Sequence, residues 1–172
     1  AHEVMVDKVW EWFSEKEREM LDLRDMLARA TSDYRKFGTL LSVDRLNLLI
    51  GHSDGLTLDN RALELLLISA IEHNLNPTIW VNKMDPDLAI EVLANLLAQQ
   101  KRKHYPQIAT ALGQTHSVKA IRYLQELLKD RNNQVQQTAI SAMVNLNHSV
   151  AIRPLYYQAQ EEHNLNRAAP IV

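Results

Sequence analysis

The chain has 172 residues, enough for one domain or two small ones with a sizeable core. Apolar residues at 46% against 23% charged exclude a disordered chain, and four glycines with five prolines favour helices throughout. Cysteine is absent, which excludes disulfides and thiolate metal sites and suits a reducing, cytoplasmic setting. The net charge of −2 hides an asymmetry. Residues 1–100 carry 17 acidic and 10 basic side chains, whereas residues 101–172 carry 4 and 9. Such a split points to an acidic partner for the C-terminal part or to self-association.

From Glu3 to about Ala30 the spacing predicts helix in two pieces. Val6, Val9, Trp10 and Phe13 share one stripe, and Met5 and Trp12 lie on another. Ser14 and Glu17 form a capping-box pair that restarts the helix. Met20, Leu23, Leu27 and Ala30 then define its inner face. Trp12, opposite the core stripe with Met5, is a candidate partner contact, because tryptophan is enriched among binding hot spots. No signal peptide is expected at the N-terminus: it lacks a basic segment followed by an apolar one.

Thr31 to Gly38 reads as a connector. Ser42 is expected to cap a short helix to about Ile50, stopped by Gly51 in the left-handed conformation. His52-Ser53-Asp54-Gly55 is turn chemistry. Asp59 is the expected N-cap of a helix over about 60–73, whose Ala62, Leu63, Leu66, Leu67, Ala70 and Ile71 form a broad buried stripe. Its apolar run carries Glu64 and is too short to span a bilayer. Asn74 and Asn76-Pro77 close it, and Thr78 to Met84 lead to the boundary at Asp85-Pro86-Asp87.

Beyond that boundary one phrase recurs at intervals of 31 residues. It reads Ala89-Ile90-x-x-Leu93-x-x-Leu96-Leu97, then Ala120-Ile121-x-x-Leu124-x-x-Leu127-Leu128, then Ala151-Ile152-x-x-Leu155. A fixed period of this length marks stacked supersecondary units. First helices are expected at about 87–99, 118–129 and 149–160, and second helices at about 105–113 and 133–146. Ala111-Leu112 and Ala142-Met143 keep the same offset, as do Ile108 and Ala139.

Leu127-Leu128-Lys129-Asp130, followed by Val135-Gln136, Ala139 and Ala142-Met143, resembles the HEAT repeat, including its bacterial lyase-type variant. Ala109, Ala111-Leu112-Gly113 carry the same resemblance in the preceding repeat. It covers about 86–160 and extends toward 59, but not into 1–57. Three residues depart from the family pattern. Gln136 replaces its arginine, Val144 replaces the glycine ending the second helix, and Pro154 interrupts the third first-helix. The residues after Asn164 begin like another second helix. A solenoid's last repeat needs a polar cap or a cover, so continuation into a longer protein or docking of this end onto a partner is expected.

The expected fold is therefore all-α: an N-terminal helical cap over 1–57, then a short HEAT-like α-α superhelix over 58–172 with its last repeat incomplete. No catalytic constellation has the required spacing. Phosphate loop, serine elbow and His-Glu-x-x-His are all missing. His116 and His148 fall at nearly equivalent turns but lack a third ligand, so no metal site and no cofactor is expected. In HEAT-like families the second helices line the concave face. That resemblance selects Gln107, Thr110, Gln134, Gln137, Ser141 and Asn145 as a neutral, hydrogen-bonding surface.

The function expected is non-catalytic protein–protein binding, an adaptor or scaffold piece holding a peptide or partner helix. The alternative is a nucleic-acid or phosphate binder using Lys101, Arg102, Lys103, Lys119, Arg122 and Arg153. The neutral second-helix face disfavours nucleic acid.

Overall fold

The computed structural model describes residues 15–99, 101–147 and 149–168, and every regular element among them is helical. Met5, Trp10, Trp12, Phe13 and His148 lie outside the described residues. Contacts divide the chain into two compact units, residues 1–69 and 70–172.

In the first unit α1 spans Glu15–Phe37. It continues through the expected connector. The Thr31 hydroxyl donates to the Leu27 carbonyl at 2.8 Å, so a residue that often competes with the helix is satisfied inside it. α1 stops only at Gly38, whose φ of 68° is the left-handed conformation that glycine adopts without a Cβ penalty. Leu23, Leu27 and Ala30 are buried as their spacing predicts. α2 spans Val43–Gly51 and buries Leu46 and Leu49. Ser42 is its N-cap residue but makes no side-chain cap bond. Gly51 lies within α2 instead of stopping it in a left-handed turn; His52 N–H closes the end onto the Leu49 carbonyl.

α3 spans Asn60–Glu72, and the division between units falls inside it. Asp59 Oδ1 accepts from Ala62 N–H at 2.8 Å, the expected cap. At its other end Asn74 takes φ 55° while Leu75 N–H reaches the Ala70 carbonyl at 2.8 Å, a Schellman closure.

The second unit continues with α4, a single turn over Thr78–Val81 whose Trp80 is completely buried. α5 spans Pro86–Ala98, α6 Tyr105–Gln114, α7 Ala120–Leu127, α8 Asn133–Asn145 and α9 Ser149–Ala168. Asp85 caps α5 by accepting from Asp87 and Leu88 N–H, with Pro86 at the first helical position, where its missing N–H costs nothing. α5/α6 and α7/α8 are the two helix pairs the 31-residue period implies, and α6 packs chiefly on α8. Their turns share the period: His116 and Asn147, 31 apart, have φ of 51° and 44°.

Gly113 sets how closely the pairs stack. A Cβ there would lie 2.8 Å from Ala142 Cα, inside any tolerated contact. The core runs through the repeated phrase, with Ala89, Leu93, Ala120 and Leu124 at 0% exposure. α9 corrects two expectations. Pro154 sits inside it without ending it, and residues 165–168 belong to the same helix. As the sixth residue of α9, Pro154 lies beyond the first turn, so it takes one donor from the carbonyl of residue 150 while the helix continues past it.

Candidate functional site

Asn132 starts α8 by accepting from Gln134 N–H at 2.9 Å. At 100° per residue, Val135, Ala139, Ala142 and Met143 fall on one side of this helix, and all four are buried. Gln134, Gln137, Ser141 and Asn145 fall on the opposite side at i, i+3, i+7 and i+11, and all four are exposed. The Ser141 hydroxyl donates to the Gln137 carbonyl at 3.0 Å, and that of Thr138 to the Gln134 carbonyl at 2.7 Å. Hydroxyls along this face therefore turn back onto the helix, and the amides project. Val144, 60% exposed, adjoins Gln137 on the same stripe and adds an apolar edge.

α6 holds the equivalent row one period earlier. Thr110, aligned with Ser141, is half-buried and donates to the Pro106 carbonyl at 3.0 Å. Gln107 is half-buried, with its Oε1 enclosed and without a hydrogen-bond partner. The six residues selected from sequence thus split: four form a continuous exposed stripe on α8, and two form a shallower extension on α6.

The basic residues do not form one patch. Lys103 Nζ lies 2.9 Å from Glu72 Oε1, while Lys101 Nζ and His104 Nε2 lie 3.5 and 3.1 Å from Oε2. One carboxylate at the end of α3 therefore gathers most of the basic run. The Lys103 hydrogen bond holds Glu72 below the usual carboxylate range, helped by the His104 and Lys101 charges. Burial pushes His104 below the ordinary histidine value, and the Glu72 charge opposes that only in part. Lys119 Nζ lies 2.6 Å from Asp87 Oδ2. Arg122 stacks over the Tyr123 ring at 4.4 Å and donates to its hydroxyl. Arg153 is exposed on α9.

Arg102 instead borders a cleft of about 460 Å³ with Tyr105, Tyr123, Lys129 and Arg131 over a floor including Leu97 and Leu127. Glu126 and Asp130 share its rim, so its charge is mixed. Lys129, Arg131 and the two tyrosines were not singled out from sequence. The cleft closes between successive repeats, and no local motif marks such a place. Among the described residues no group of three His, Asp or Glu side chains is placed to hold a metal ion. No helix among them is long and apolar enough to cross a membrane.

Comparison with known proteins adds one finding. The HEAT-repeat family matches residues 90–170, which takes in the second half of the described helices. No curated protein and no solved structure matches the chain.

Proposed function

We propose, from a chain whose residues 90–170 are HEAT-like repeats, a non-catalytic adaptor or scaffold module that holds a peptide or partner helix. HEAT repeats commonly serve as protein-interaction modules. The observation that carries the reading is the exposed amide stripe of α8, Gln134, Gln137 and Asn145 beside Val144. Amides donate and accept at once, so they can satisfy the backbone of an extended segment while Val144 contributes apolar contact. A cytoplasmic setting fits a chain without cysteine.

Phosphate or nucleic-acid binding is the second reading, favoured by Arg102, Lys129 and Arg131 around the cleft. Against it, Lys101 and Lys103 face Glu72, and Lys119 faces Asp87. A photo-crosslinking residue placed at Ser141 tests the first reading in native extract, with Glu91 on α5 as the exposed control. Discrete protein adducts are expected from position 141, absent at 91 and lost on Gln137→Arg. Their yield should persist to about 0.5 M salt, where phosphate-based binding falls steeply. Equal labelling from both positions sinks the proposal.

A further inference from the structure

The repeated phrase has the same inner isoleucine three times, and its fate differs. Ile90 and Ile121 are each 4% exposed, whereas Ile152 is 66% exposed. Tyr156, one turn further along α9, is 60% exposed. Together they form an i, i+4 apolar row, continued at position 159 on the same side of the helix. Arg153 and Gln160, both exposed and seven apart, follow one flank of that row. The row is thus apolar, with one cation, Arg153, at its edge. A helix laid against this end could not come as close as α8 comes to α6. Val144 occupies the place of Gly113, where even one Cβ would meet backbone at 2.8 Å.

The first unit carries a complementary surface. Between α1 and α2 lies a groove of about 670 Å³ with Leu23, Met26 and Leu48 as its apolar floor. Leu48 is 43% exposed there. Glu15, Glu19 and Asp22, at i, i+4 and i+7, line its α1 side, with Arg18 beside them. Its rim is therefore net acidic where the flank of α9 carries Arg153. The two surfaces also match in form, because an amphipathic helix lays an i, i+4 row into an apolar groove. The units agree in sign: residues 1–69 carry 13 acidic and 9 basic side chains, and residues 70–172 carry 8 and 10.

We propose that this protein self-associates head to tail, the Ile152–Tyr156 row of one copy seating in the Leu23–Met26–Leu48 groove of a second copy. Arg153 then faces the carboxylates at Glu19 and Asp22 across the edge. A heterologous contact of this kind leaves one groove and one row open in every dimer, so it propagates into longer assemblies or closes as a ring.

Sedimentation of the full chain over about 1 μM to 1 mM, the range of weak to moderate affinities, reads the assembly directly. The mass should rise with concentration and fall back toward monomer at about 0.5 M salt, where screening shortens the reach of the charges. Leu48→Glu and Ile152→Glu should each stop assembly. Mixed in equal amounts, they retain one intact groove and one intact row, so a one-to-one heterodimer and nothing larger is expected. If Leu48→Glu fails to fold, Asp22→Arg replaces it, and combining it with Arg153→Glu should restore assembly. A wild-type chain that stays monomeric throughout overturns the proposal. So does a mixture that stays monomeric, or a variant pair that still assembles through another surface.

Discussion

Two layers of the same stack share the isoleucine and leucine of the repeated phrase, and these end in different states. In the inner layer, α6 offers Ala109 and Gly113 to α8, and α7 buries Ile121 and Leu124. In the outer layer the equivalent positions are Ile140, Val144, Ile152 and Leu155, and none of them is fully buried. Burial in a repeat protein is thus decided by the neighbour, because each layer touches only the next. At the opposite end of this unit the closure is polar, with Glu72 gathering Lys101, Lys103 and His104.

The comparison breaks most visibly at the leucines. Leu124→Ala empties a fully buried site and should cost about 2–5 kcal/mol. Leu155→Ala, at the equivalent half-buried position, should cost less than half as much in the same urea titrations. Gly113→Val places in the inner layer the residue that the outer layer already tolerates. Its neighbour is the Ala142 backbone, which yields little, so about 1–3 kcal/mol of overpacking is expected. Val144→Gly should cost no more than about 0.5 kcal/mol, the helix-propensity difference alone.

Proton dependence sharpens the polar end. Both Glu72 and His104 titrate lower in the folded chain than in the unfolded one. Groups shifted that way contribute stability above their unfolded values and lose it as pH falls through the folded ones. Stability should therefore decline as pH drops below about 6.5, the ordinary histidine value, and decline further in the carboxylate range. His104→Gln should flatten the first part of that decline in thermal melts at stepped pH and leave the second. A slope unchanged by the substitution assigns the effect to other groups. The smallest effect belongs to Lys119→Met. The exposed pair with Asp87 contributes no more than about 0.5 kcal/mol, and a larger loss would show that it locks the layers together.

Much of the fold is legible in the sequence for one reason. The 31-residue phrase repeats the burial pattern of whole helices, and helical periodicity survives without knowledge of neighbours. The caps at Asp59 and Asp85 were legible because they act within three residues. Where each helix stops was less so. Thr31 and Pro154 carry local signals for ending a helix, yet each lies inside one, and Gly51 ends α2 without the expected left-handed turn. Trp80 was missed as a core residue since one turn of helix is too short to show a period.

The candidate site divides along the same line. Sequence by itself determined that Gln134, Gln137, Ser141 and Asn145 share a helix face, since that follows from residue spacing on a regular helix. Only the tertiary structure decided that this face is open on α8 and shallower on α6. It alone decided that the basic run faces Glu72, and that Arg102 joins Lys129 and Arg131 at one cleft. Those outcomes depend on side chains about 30 residues apart in sequence meeting across layers, and a local pattern carries no record of what lies across from it.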